Sequence, residues 1–278
     1  MKAVYSHWDV TGTGFGRNWS SPKFFLYSLV NSVHQSKKIF GKVEMVTNSE
    51  CVALFEKLEL PFDKISTELD DINHYPKEFW SLGKIKAYSI QDEPFIHVDD
   101  DVHFQMYNEN LKNLFENNDL VCQSIEKQNG KEQVPDCYVE NINTIMEYGE
   151  KVIDNFGKPN YAHNMGFYLC KDLEFNKLYT DLAFEFIDIN KDLMMSRYYS
   201  HPSYYCIIFE QYFFTCLAEL KNKKVATFGK LDDWEVYKDY QYKHIWGAKK
   251  NEDWYKQFDN ACKNIYPKQY EIIQNLVK

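Results

Sequence analysis

Short apolar runs alternate with stretches of helical periodicity along the first hundred residues. Lys2 to His7 reads as a strand, and Trp8 to Ser20 as a polar loop carrying Gly12, Gly14 and Gly16. Ser21 and Pro22 form an N-cap and first-turn pair, and Phe25, Leu29 and Val33 make one stripe of the helix they open. Val43 to Thr47 predicts a second strand. Ser49 is expected to cap a second helix, with Val52, Phe55 and Leu58 at helical spacing and Pro61 at its end. A short third strand is expected in Phe62 to Ser66. A third helix follows from about Glu78 to Ile90, with Phe79, Trp80, Leu82, Ile85 and Tyr88 for packing. This alternation predicts an α/β sheet with parallel strands.

The second half is less regular. Leu120 to Gln123 reads as a strand. From Ser124 to Tyr161 the pattern is broken by Asn129-Gly130, Pro135, Gly149, Gly157 and Pro159. That segment is either a loop with short helices shaping the acceptor side of a site, or a surface insertion. Asn164-Met165-Gly166 leads into a strand at Phe167 to Leu169, and a helix is expected over Phe175 to Ile189. Tyr198 to Tyr205 is loop-like, and its tyrosines either line a sugar site or simply pack. A helix over Glu210 to Leu220 follows, with Phe213, Phe214 and Leu217 for the core, and then a strand at Val225 to Phe228. The chain closes with a helical stretch around Trp254 to Val277, interrupted near Pro267. With no repeat and no clear linker, one domain over residues 1–278 is expected, with a helical tail from about residue 251.

Composition narrows the class. In 278 residues, 44% are hydrophobic and 17% aromatic, enough for a sizeable core. A net charge of −9 argues against a nucleic-acid binder. Any anionic substrate then needs local lysines or a metal. The seven cysteines are odd in number and form no CxxC pair, which fits reduced, packed thiols and a cytoplasmic protein. The start lacks the apolar run of a secretion signal. The richest apolar region, Tyr204 to Leu220, is interrupted by Glu210 and Gln211, so no transmembrane segment is expected, while peripheral membrane contact stays compatible.

The chemistry concentrates in one stretch. An apolar strand, Phe95 to Val98, runs into Asp99, Asp100 and Asp101. Three adjacent carboxylates repel one another unless a cation or solvent neutralises them. If the segment stays extended, Asp99 and Asp101 share a face and Asp100 points away. Carboxylate oxygens suit magnesium or manganese, which keep positions open for substrate phosphates. The plainer alternative is a polar strand end bonded to loop amides. His97 and His103 fall on the same parity as the acids, and packing or support of the ligands is expected of them. The GxGxG spacing of Gly12, Gly14 and Gly16 is not the dinucleotide fingerprint. A flexible loop is expected there, with ligand contact as the alternative.

A second motif, His244-xx-Gly247-xx-Lys250, stands near the C-terminus. Together with the Asp99–Asp101 pair it resembles the GT-A glycosyltransferases, in particular family 8 with its DxD and HxxGxxK signatures. Asn164-Met165-Gly166 resembles that group's NxG segment, and Glu210-Gln211 its acidic-Gln pair. Trp80 to Lys84, running into Pro94 to Asp99, also resembles an uncharacterised bacterial domain family of the GT-A kind. The resemblance implies a GT-A (nucleotide-diphospho-sugar transferase) fold, a mixed, mostly parallel sheet flanked by helices. It implies a manganese or magnesium ion on Asp99, Asp101 and His244, bridging the diphosphate of a nucleotide-sugar donor. Gly247 would admit the diphosphate and Lys250 would neutralise it. Lys84 would touch phosphate or sugar, unless it is a solvated helix residue, and Asp100 would lie with the donor-binding residues. Asn164 and Gln211 would sit by the donor sugar, and Glu210 would position a hydroxyl or the acceptor, unless the last two merely cap a helix. Tyr5 and Ser6 would lie by the base. The implied reaction is transfer from a UDP-sugar to a glycan or lipid-linked acceptor, with retention, as in polysaccharide biosynthesis. The chain departs from the pattern in lacking Pro-Trp after the second motif, in Asn48 at a strand end where Asp is common, and in Glu210 for the usual Asp. Two other classes remain open on the residues alone: a metal-dependent phosphohydrolase or nuclease, and a non-catalytic sugar-nucleotide-binding protein.

Overall fold

The computed structural model describes residues 1–128, 133–196, 200–230 and 234–277, with the side chains of 230, 234–236 and 246 left aside. Asn129-Gly130 and Tyr198 therefore lie outside the described residues. Seven strands form one sheet in the order β3-β2-β1-β4-β7-β6-β8. They are β1 (Lys2–His7), β2 (Val43–Thr47), β3 (Lys64–Ser66), β4 (Phe95–Val98), β6 (Leu120–Glu126), β7 (Ala162–Cys170) and β8 (Val225–Lys230). β5 (Val102–Phe104) and β9 (Tyr242–His244) pair separately, antiparallel. β1 to β4 are parallel and β6 is parallel to β8, while β7 runs antiparallel to both its neighbours. The sheet is thus mixed and mostly parallel, as expected.

Helices cover both faces. One side carries α1 (Pro22–Phe40), α2 (Ser49–Lys57), α4 (Glu109–Glu116), α10 (Glu252–Ile265) and α11 (Pro267–Leu276). The other carries α3 (Leu82–Ser89), α5 (Asp136–Tyr148), α6 (Leu173–Met195) and the run α7 (Tyr205–Ile207) to α8 (Phe213–Leu220). A short α9 (Trp234–Asp239) precedes β9. Strand parity sorts the core: Ala3 and Tyr5 face the α1 side, and Val4 the α6 side. All seven cysteines are free, and only Cys137 is exposed. Among the described residues no helix is long and apolar enough to cross a membrane.

The differences from the sequence reading are local. Ser21 caps α1, accepting from the Phe24 amide at 3.2 Å, as expected. The cap position of α2 is Asn48 rather than Ser49. The Asn48 side chain accepts instead from the Asp9 amide (3.2 Å), tying the loop after β1 to the end of β2. α3 begins four residues late because Glu78 to Ser81 are spent in turns. The broken stretch after β6 contains α5, whose Tyr138, Ile142 and Ile145 are buried, so this part is core and not a surface insertion.

Candidate active site

The acidic triplet is not extended. The Val102 amide donates to the Asp99 carbonyl (3.1 Å), closing a four-residue turn between β4 and β5. This corrects the parity expectation: Asp100 does not point away but lines a cleft with Asp99, its carboxylate 3.7 Å from Lys249. Buried hydroxyls of α1 hold the turn, Ser28 donating to the Asp100 carbonyl (3.0 Å) and Ser32 to the Val102 carbonyl (2.6 Å). His97 and His103 are both buried supports. His97 Nε2 lies 2.8 Å from Ser6 Oγ, and His103 Nε2 3.1 Å from Ser28 Oγ.

The C-terminal motif reaches this turn through a short ladder. β5 and β9 pair with Val102 opposite His244, and the Ile245 amide donates to the Asp101 carbonyl (3.0 Å). Ligand atoms of Asp99, Asp101 and His244 consequently all lie within 4.8 Å of one another. His244 Nε2 is 3.0 Å from Asp101 Oδ1. Its Nδ1 is 2.5 Å from Gln123 Oε1, which also accepts from the Tyr242 hydroxyl (2.8 Å). Both ring nitrogens therefore face acceptors. A doubly protonated ring satisfies that arrangement, and so does a neutral ring whose Nε2 lone pair meets a divalent cation shared with Asp101. Two carboxylates and an imidazole are ligand types that can hold a divalent metal ion. Burial alone would raise Asp101, but His244 and Lys249 hold its carboxyl well below the usual carboxylate range.

Gly166 is the residue that lets these parts meet. A Cβ there would stand 2.5 Å from His244 Cε1 and 2.7 Å from Gln123 Oε1. Its carbonyl accepts from the Asp99 amide (3.1 Å), and its amide donates to Asn164 Oδ1 (2.9 Å). The NxG segment thus sits inside β7 rather than ahead of a strand.

Behind Asp99 lies a buried charge relay. Lys84 Nζ is 2.8 Å from Asp99 Oδ2 and 3.0 Å from Glu210 Oε1. Lys84 is therefore a paired, largely buried residue and not a solvated one. Glu210 is wholly buried, and burial pushes it up to about 7 against the pull of Lys84, with Asp99 adding to the rise. Glu210 and Gln211 occupy a π-helical turn, Ile208–Tyr212, between α7 and α8, so they do not cap a helix. Such a wide turn places an extra residue on one face and recurs at functional sites. Asn164 Nδ2 donates to Glu126 Oε1 (2.6 Å), and the Tyr138 hydroxyl bonds Glu126 Oε2 and Gln211 Oε1 (3.1 Å). Asn164 and Gln211 are thereby joined through Glu126 and Tyr138.

A cleft of about 150 Å3 opens beside Asp99 and Asp100, walled by Ser6, Trp8, Trp80, Lys84 and Lys249. The glycine loop lines one wall of it through Phe15, Gly16 and Arg17 but is not a phosphate cradle. The amides of Thr11, Gly12 and Gly14 all donate to the Asp9 carboxylate (2.7–2.9 Å). Those bonds outweigh burial and lower the Asp9 pKa. Of the residues expected by the base, Ser6 lines the cleft, whereas Tyr5 turns into the α1-side core, its hydroxyl 2.7 Å from Ser32 and 2.8 Å from Ser36. A single 3-10 turn, Trp246–Ala248, sends Lys249 inward and leaves Lys250 exposed. Lys249 Nζ is 3.0 Å from Asp101 Oδ2. Gly247 is exposed, with open space where a side chain would stand.

Gln123, Glu126, Tyr138 and Lys249 escaped the sequence reading. A polar residue ending the apolar run Leu120 to Cys122 was the one signal for Gln123. The motif spacing selects Lys250, and Lys249 has no sequence signal of its own.

The fold and the site together define a mixed α/β protein with a carboxylate–imidazole cluster, able to hold a cation, at the end of its central strand. The chain belongs to a family of unknown function, DUF6734, which it matches over residues 1–276. No curated protein matches its sequence. Among solved structures it is similar to an active-site mutant of LgtC (TM-score 0.40, 16% identity, 75% of this chain and 70% of that one). It is also similar to apo mouse xyloside xylosyltransferase 1 (TM-score 0.41, 11% identity, 81% and 83%). A third similar structure is galactosyltransferase LgtC in complex with donor and acceptor sugar analogues (TM-score 0.36, 15% identity, 68% and 66%).

Proposed function

We propose that this chain is a GT-A-type, metal-dependent glycosyltransferase that moves a sugar from a nucleoside diphosphate, a uridine one in this reading, to a glycan or lipid-linked acceptor. The observation that supports it most is the convergence of Asp99, Asp101 and His244 beside a cleft walled by Lys84 and Lys249. Manganese or magnesium bound there would neutralise the diphosphate as a Lewis acid. The chain's own residues do the rest. A sugar diphosphate gains negative charge at its bridging oxygen as the glycosidic bond breaks, and an ammonium already fixed in place stabilises that state more than the ground state. In this reading Lys249, 3.0 Å from Asp101 Oδ2, supplies that ammonium, the role that the family resemblance implies for Lys250. Asn164 and Gln211, locked through Glu126 and Tyr138, would orient the donor sugar. Glu210 lies behind Lys84, so in this reading it sets the position of Lys84 instead of touching the acceptor. Retention of configuration follows from the family 8 likeness of the motifs.

Thermal shift with UDP and manganese tests the reading. UDP should raise the melting temperature only when manganese is present, beyond any rise from manganese alone, and Asp101→Ala should abolish the UDP-dependent rise. At ligand a hundredfold above Kd the gain is about 2.7 kcal/mol. Stabilisation by UDP without metal, or by neither, would contradict it. Phosphate release without a sugar acceptor would favour a phosphohydrolase instead, and donor binding with neither transfer nor hydrolysis a non-catalytic binder.

A further inference from the structure

Three cations line the cleft among the described residues: Arg17, Lys84 and Lys249. Lys84 is committed to Asp99 and Glu210, and Lys249 to Asp100 and Asp101. Arg17 has no carboxylate partner among the described residues. Its guanidinium carbon stands 5.8 Å from the centre of the Trp80 ring. An aromatic face supports the guanidinium plane while leaving its N–H edge available to an anion.

The loop around Arg17 is anchored on both sides. Before it, the Asp9 carboxylate gathers the amides of Thr11, Gly12 and Gly14. Gly16 packs so tightly that a Cβ would come within 2.6 Å of the Phe25 ring. After it, the Ser20 amide donates to the Lys249 carbonyl (3.0 Å), and the Lys249 ammonium lies 5.0 Å from the Trp19 ring centre. Arg17 is thus carried on a backbone tied directly to the segment that brings in Lys249 and His244.

Charge then singles it out. Asp99, Asp100, Asp101 and Glu210 are faced by two lysines, and a divalent cation would offset the remaining acids. A phosphoryl group entering beside that cation meets one lining cation not already held by an acid. We propose that Arg17 binds phosphoryl oxygens in this cleft, those of the donor diphosphate in the reading above, on which this inference rests. The planar fork presents two parallel N–H donors to two oxygens of one phosphoryl group, a fixed geometry that a lysine's ammonium lacks.

Isothermal titration with magnesium alone, magnesium with inorganic pyrophosphate, and magnesium with uridine, on wild type, Arg17→Ala and Arg17→Lys, tests it. Arg17→Ala should weaken pyrophosphate binding at least about tenfold, with partial recovery in Arg17→Lys. Magnesium and uridine binding should not change. Wild-type pyrophosphate affinity in Arg17→Ala would overturn the inference alone, as would an equal loss for magnesium or uridine, which would make Arg17 a structural prop. Absence of magnesium-dependent pyrophosphate binding in the wild type would bring down the functional reading and this inference together.

Discussion

Gly166→Ala is expected to weaken divalent-cation binding by about 10–100-fold while the chain stays folded. The added methyl would fall 2.5 Å from His244 Cε1 and 2.7 Å from Gln123 Oε1, so the imidazole and the amide that orients it cannot both keep their places. The same residue's carbonyl holds the Asp99 amide, so any backbone shift reaches a second residue of the proposed cation site directly. Overpacking of this kind costs about 1–3 kcal/mol, little enough for a domain of this size to survive. Manganese titration paired with a denaturant melt separates the two effects. Unchanged metal affinity with a normal fold would show that His244 is not held through Gly166.

Lys84→Met should destabilise the fold by about 3–5 kcal/mol near pH 8. It strands Glu210, which is wholly buried, and Asp99, whose side chain is 17% exposed at the cleft, without their shared cation. The loss should shrink in acid. Burial lifts Glu210 from its ordinary 4.5 to about 7, with Asp99 and Glu126 adding to the rise and Lys84 opposing it. Between those values the folded chain binds more proton than the unfolded one, so the Glu210 contribution to stability is present at low pH and lost as pH rises through 7. Without Lys84 the lift is larger, so the penalty should be smaller at pH 5 than at pH 8. Adding Glu210→Gln should recover part of it. Urea midpoints of the two variants at both pH values check this, and a penalty that does not vary with pH would mean that Glu210 is not the stranded charge.

How much of this could be read beforehand depended on whether a residue's role was local. The bounds of β1 and β2 follow from apolar runs stopped by polar loops, and the N-cap of α1 from Ser21-Pro22. The association of Asp99 and Asp101 with His244 came from paired motifs rather than from any pattern between them. The turn at Asp99 to Asp101 was hidden because an apolar strand running into it suggested continued extension. β9 was invisible for a related reason: three residues, Tyr242 to His244, become a strand only because β5 pairs with them. α4 was legible and went unread: Leu111, Leu114 and Phe115 stand at helical spacing after Asn108. Glu126 and Gln123 look like ordinary polar strand ends, and their partners Asn164, Tyr138 and His244 are distant in sequence. The choice between Lys249 and Lys250 rests on one turn at Trp246–Ala248, which no spacing reveals.

The measurement that bears most directly on the central claim is the electron spin-echo spectrum of manganese added to the protein with UDP. Modulation from a directly bound imidazole nitrogen is expected in the wild type, absent in His244→Gln, with ion binding lost in Asp101→Asn. A bound ion with no nitrogen coupling, or one whose coupling survives His244→Gln, would contradict the account.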